Sequence, residues 1–215
     1  MKLLIAGEGK DELGRWALEE PHRFRQTDVG EGLIEAFLRR IRPDGWSIVD
    51  GRFWKRIPKY VARRGGPGNH PTRHDTRGQQ LGAEGHTVLG LALIAEEKGY
   101  DALVFVRDRD RDKERADDIE SALELARERF TPKIAGGVAV EEVESWVLSL
   151  LNHKDAERHG SAKEVLDKLH HITTLDRKLA VVAASDLAKV REDARSLRLW
   201  LDRVRETLDA SDEPA

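Results

Sequence analysis

Cysteine is absent from this 215-residue chain, which excludes disulfides and any thiolate-based zinc or redox site. Long apolar runs are also missing. No stretch reaches the 18 or more apolar residues that a membrane-spanning helix needs. The opening MKLLIAGEGKDE turns acidic too soon for a secretory signal, so a cytoplasmic protein is expected. No internal repeat or low-complexity tract interrupts the chain. Tyrosine is nearly absent, with only Tyr60 and Tyr100.

Charge is abundant. Charged residues make up 36% of the chain, yet the formal sum is only −3, so patches of opposite sign can cancel in the total. From Arg52 to Gln80 eight basic residues (Arg52, Lys55, Arg56, Lys59, Arg63, Arg64, Arg73 and Arg77) face one acid, Asp75, a local charge of about +7. The apolar share, 39%, suffices for one packed α/β domain with room for a helical addition.

Short apolar runs alternate with helix-period segments. Lys2–Ala6 (KLLIA), Trp46–Asp50, Ala102–Val106 (ALVFV) and Lys133–Val138 read as strands. Gly30–Ile41, Gln80–Gly99, Glu114–Phe130 and Ala139–Leu151 read as helices, and beyond Asn152 so do Ala162–His170 and Asp186–Leu208. Such alternation predicts an α/β fold: a four-stranded, mainly parallel, Rossmann-like sheet with helices on both faces and a C-terminal helical extension. The expected division is a domain over 1–152, with a basic loop insertion at 51–80, and a helical extension over 153–215. The seam from Leu187 to Val204 would pack on the sheet or on a partner, as in a homodimer.

Ligands of open parallel sheets bind beyond the C-terminal ends of the strands. Glu8 follows the first strand, and Asp108, Asp110 and Asp112 follow the third. If the D-x-D segment stays extended, Asp108 and Asp110 project to one side, because side chains alternate with period two. Two carboxylates held close call for a cation, and hard oxygen donors suit Mg²⁺ or Mn²⁺. The bland alternative is a self-paired Arg-Asp loop. Within Ala139–Leu151, Glu144 lies roughly 70° from the centre of the apolar face, so it can reach the same edge from the core border. An ordinary solvated helix face is the competing reading.

LLIAGEGKDE and LVFVRDRDRD resemble the two acidic motifs of the Toprim family, over about residues 1–150. That resemblance implies a metal-dependent nuclease of the OLD-like type. Glu8, Asp108 and Asp110 would be the catalytic and metal-binding acids, with Glu12 and Glu144 as further metal ligands or a second metal site. Glu8 could instead serve as general acid or base. The Glu-x-x-Glu-x-Trp pattern around Glu141 and Glu144 is similar to small stand-alone Toprim-like proteins encoded beside ATPases. This implies an ATPase partner and a role in antiphage defence or genome maintenance. The long basic insertion departs from the minimal domain. It would bind nucleic acid, DNA more readily than RNA, through phosphate neutralisation. Phe53 and Trp54 would either stack on bases or, by preference, pack beneath the loop. A zinc pair at His70 and His74 is disfavoured by the Gly/Pro-rich surroundings. Two tyrosines and no large extra domain argue against a topoisomerase. The absence of a zinc module argues against a primase, and the position of D-x-D after the third strand argues against a haloacid dehalogenase phosphatase. A non-catalytic accessory protein that binds nucleic acid or an AAA- or ABC-type ATPase is the alternative to the nuclease.

Overall fold

Apolar residues on successive positions of β1 (Lys2–Gly7), four of them fully buried, require cover on both faces, and both faces are covered. The computed structural model describes residues 1–17, 30–57, 81–110, 112–158 and 160–209. β2 (Ser47–Phe53), β3 (Ala102–Asp108) and β4 (Lys133–Ala139) join β1 in a four-stranded sheet of order β2-β1-β3-β4 in which every pairing is parallel. The chain is therefore an α/β protein with a Rossmann-like, all-parallel sheet.

Strand alternation sorts the core into two layers. Leu3, Ile5, Val104 and Val106 face one side, with α2 (Leu33–Ile41) and the C-terminal helices. Leu4, Ala6, Leu103 and Phe105 face the other, with α3 (Ala83–Glu97) and α4 (Lys113–Arg129). The short helix α1 (Lys10–Leu13) and α2 carry the chain from β1 to its outer neighbour β2 along the first side. Helices α3 and α4 carry it to β3 and β4 along the second. The crossovers thus part between β1 and β3, which makes the C-terminal edge between these strands the topological switch point.

The first side holds an aromatic cluster. The Trp146 and Trp200 ring centroids lie 5.3 Å apart, and Phe37 meets them edge-on at 6.2 and 5.7 Å. Both indoles have polar partners: Trp200 Nε1 donates to the Phe105 carbonyl (2.9 Å) and Trp146 Nε1 to Ser196 Oγ (2.8 Å). Trp146 belongs to α5 (Glu144–Leu150) and Trp200 to α8 (Arg195–Asp209), so the C-terminal helices share one core with the sheet. On the second side Phe105 lies over Gly136. A Cβ there would fall 2.1 Å from the ring, which explains the glycine in β4.

Several expected boundaries move. The helix expected over Ala139–Leu151 begins only at Glu144, because β4 runs to Ala139 and the chain turns through Glu141 at φ 67°. Asp186–Leu208 is not one helix. Beyond α6 (Ala162–His170), α7 spans Leu175–Ala184 and α8 spans Arg195–Asp209, with residues 185–194 non-helical between them. Short polar side chains take the backbone there. Asp186 accepts from the Ala188 N–H, and Asp193 accepts from the Asp155 N–H. Glu157 then caps α8 from a distance, accepting from the Ser196 and Leu197 N–H groups. β2 extends three residues beyond the expected Asp50, to Phe53. Among the described residues no helix is long and apolar enough to cross a membrane.

Candidate functional site

Gly7 ends β1 at the switch point, and Glu8 and Gly9 form the turn that follows. The Gly9 N–H donates to Glu12 Oε2 at 2.8 Å and draws that side chain back over the turn. A Cβ on Gly7 would stand 2.8 Å from Glu12 Cβ, so the small residue is what allows Glu12 to lie there. Glu12 is 6% exposed.

Alternation at the end of β3 sends Arg107 and Asp108 to opposite sides. Asp108 turns to the side of Glu12. Its Oδ1 accepts from the Val143 N–H at 2.9 Å, which ties the strand end to the start of α5. Glu144, the next residue, is 7% exposed on the same side. Burial pushes the Asp108 carboxyl up to about 8, with the charges of Glu12 and Glu144 adding to the rise. Glu12 is raised as well, by burial first and by Glu144 among its neighbours. Three carboxyls from three separate elements therefore feel one another here.

A buried lysine sits among them. Lys178 of α7 is 2% exposed, and its Nζ lies 2.5 Å from Asp11 Oδ2 and 2.6 Å from Glu144 Oε1. Sequence reasoning missed it because α7 was not foreseen. The signal was present, since Lys178 shares the apolar stripe of Leu175, Leu179 and Val182 at helix spacing.

Glu8 and Asp110 do not accompany Asp108. Glu8 lies on the opposite side and forms an ion pair with Arg107, which is itself 5% exposed and also pairs with Glu84 at 2.9 Å. The Arg107 guanidinium lies over the Trp54 ring, and Trp54 Nε1 donates to Glu84. The D-x-D segment is not extended. β3 ends at Asp108, and Asp110 takes a left-handed backbone at φ 47°, its N–H donating to the Glu141 carbonyl at 2.9 Å. Its carboxylate, 64% exposed, pairs with Arg115 at 2.6 Å. Period-two alternation fails beyond Asp108 for this reason. Asp112 caps α4, accepting from the Arg115 N–H.

The donors near Asp108 fit a hard divalent cation in type and charge. Glu12 and Glu144 are buried and Asp108 half-buried; desolvation first, and the charges of Glu12 and Glu144 second, raise the Asp108 carboxyl, a cost that a dication would relieve. They are not closed into a cage: among the described residues no three acids or histidines already stand close enough to hold one ion.

Of the basic residues expected to bind nucleic acid, Arg52, Lys55 and Arg56 are described; Lys59, Arg63, Arg64, Arg73 and Arg77 lie outside the described residues, as do His70 and His74. Arg52 pairs with Asp50 at 2.6 Å, and Arg56 lies over the Phe53 ring. Lys55 and Arg56 are exposed beyond β2, whose last residue pairs with Gly7, so they flank the same sheet edge as the acids. Trp54 is buried against Phe105 at 5.3 Å and is not available for base stacking.

Comparison with protein-family models, with curated proteins and with solved structures finds no match to this chain.

Proposed function

We propose that this chain is a Toprim-like, metal-dependent nuclease that hydrolyses phosphodiester bonds of nucleic acid, DNA more readily than RNA. The observation that carries it is the gathering of Glu12 of α1, Asp108 at the end of β3 and Glu144 at the start of α5 on one side of the C-terminal edge of a parallel sheet, within electrostatic reach of one another. Glu12, Asp108 and Glu144 would hold Mg²⁺ or Mn²⁺, with Glu8 and Asp110 joining only if they leave their arginine partners. The bound ion supplies Lewis-acid polarisation of a phosphoryl oxygen and a more acidic water. The chain's own residues do the rest. The Val143 N–H fixes Asp108, the Gly9 N–H fixes Glu12, and Lys178 fixes Glu144. Lys55 and Arg56 border the edge where a phosphate backbone would lie, and sequence-independent attraction is the expected result.

The test is plasmid nicking by purified protein with Mg²⁺ or Mn²⁺, beside an Asp108→Asn variant. Cleavage that requires the metal and disappears in the variant supports the nuclease. Equal cleavage by both proteins overturns it.

One observation favours a second reading. Arg107 and Arg115 already hold Glu8 and Asp110, as in a site that binds without cutting. An accessory protein of that kind would bind nucleic acid or an ATPase partner with no cleavage by the wild type, and binding would survive loss of Asp108. The setting in either case would be antiphage defence or genome maintenance, and a homodimer through the C-terminal helices is compatible with both.

A further inference from the structure

Lys178 is a buried charge to which the nuclease reading gives only the task of fixing Glu144. It stands on α7, yet its ammonium reaches Asp11 in the first turn after β1 and Glu144 at the start of α5. Both contacts are direct, at 2.5 and 2.6 Å, and the side chain is 3% exposed. A lysine carries three donors and no acceptor, and desolvation costs most when a charge lacks partners. This one has an anionic partner from each of two elements. Glu144 is also the carboxylate that bears on Asp108 and Glu12, and Glu142 feels both Glu144 and Lys178. Among the described residues the charged groups that Lys178 meets or feels are Asp11, Glu142 and Glu144, and Glu144 in turn bears on Glu12 and Asp108.

Two-ion phosphodiesterases place their cations about 4 Å apart, bridged by carboxylates. Here the Lys178 ammonium already contacts Glu144 Oε1 at 2.6 Å, on a carboxylate that a second ion would need. A divalent cation binds oxygen at about 2.1 Å, so a second ion on Glu144 Oε1, the oxygen that Nζ already contacts, would lie within a few ångströms of the ammonium and be repelled by it, and Oε2 would be the oxygen offered to the first ion. The lysine has no solvent to retreat to.

We infer that Lys178 is the resident second cation of this site, so that the chain takes one divalent ion beside Asp108 and Glu12 where a two-ion site would take two. This inference rests on the reading of the acids as a metal site. It makes Lys178 a positioning residue. It holds Glu144 and the turn after β1 in register and hands the C-terminal helices a direct role in the geometry of the edge.

The experiment counts Mn²⁺ bound to the full chain by equilibrium dialysis, in wild type, Lys178→Met and Lys178→Arg, with folding checked by circular dichroism. Wild type and Lys178→Arg are expected to bind one ion, and Lys178→Met two. Equal counts in wild type and Lys178→Met overturn the inference. If the equal count is one or two, the nuclease reading stands; if it is zero, that reading falls as well. A readout independent of any variant is the electron paramagnetic resonance of Mn²⁺ bound to wild type. Isolated six-line spectra are expected, and a spin-coupled pair overturns the inference even if Lys178→Met does not fold.

Discussion

The two sides of the sheet's C-terminal edge are built from neighbouring residues and differ in charge balance. On the side of α3 and α4, Glu8, Glu84 and Asp110 each meet a guanidinium from Arg107 or Arg115. On the side of α2 and the C-terminal helices, Asp11 and Glu144 pair with Lys178, whereas Glu12 and Asp108 accept from the backbone N–H groups of Gly9 and Val143. Balanced buried charge is an ordinary way to close the end of a sheet. Unbalanced buried charge is expensive unless something else neutralises it. The difference teaches that the acid-rich motif after β3 is two things at once: Asp108 enters the unbalanced cluster, while its neighbours Arg107, Asp110 and Asp112 brace the structure.

The largest effect should come from the unbalanced side. Asp108→Asn keeps the shape and removes a charge. Nicking should fall by more than about 100-fold, the upper range for losing a group that only supports a metal ligand. The metal-free variant should melt no lower than wild type. A melting temperature that drops several degrees would show that Asp108 is structural, like its neighbours.

On the balanced side the order reverses. Arg107→Met removes the guanidinium that Glu8 and Glu84 share, leaving Glu84 with Trp54 and Arg115. Breaking a buried pair costs about 3–5 kcal/mol, and the lower end applies because these carboxylates retain 19% and 21% exposure. Urea denaturation measures it. A loss under about 1 kcal/mol would erase the distinction between the two sides.

The pH dependence of the metal-free protein sharpens the comparison. The Asp108 carboxyl is raised from 3.8 to about 8, so the folded state holds a proton that the unfolded state releases near 4. Its contribution to stability is full below about 4 and is lost as pH rises towards 8. The urea midpoint of wild type should therefore fall more between pH 5 and pH 8 than that of Asp108→Asn. Saturating Mn²⁺ should narrow the gap at pH 8. Parallel pH profiles for the two proteins would contradict the assignment of the imbalance to Asp108.

The smallest effect lies at the rim. The double variant Lys55→Ala/Arg56→Ala should leave the melting temperature unchanged, since exposed charges contribute little. It should lower the salt slope of DNA binding, measured by fluorescence anisotropy, by up to about two, near one per lost phosphate contact. An unchanged slope would remove these two residues from the interface.

Much of the scaffold was legible because burial on both faces writes itself as unbroken apolar runs. KLLIA and ALVFV name β1 and β3, and the helices between them imply a parallel sheet. Asp108 was legible as an acid at a strand end, whereas Glu12 came only from the resemblance of LLIAGEGKDE to an acidic family motif. What was not legible depended on where the strand stopped. Had β3 continued two residues, Asp110 would share the side of Asp108; the left-handed turn at Asp110 sends it to Arg115 instead. Lys178 was hidden differently. A lysine on an apolar stripe looks like a fault in a helix until its partners, 34 and 167 residues away, are in view.

The amino-acid sequence by itself determined the α/β layering, the strands and the acids available at their ends. Those follow from local periodicity, which every short segment carries. Only the tertiary structure decided which acids meet, which are claimed by arginine, and that a lysine from α7 lies among them. Charge pairing acts through space over a few ångströms, and nothing in the spacing of residues along the chain records which distant segments fold to within that reach.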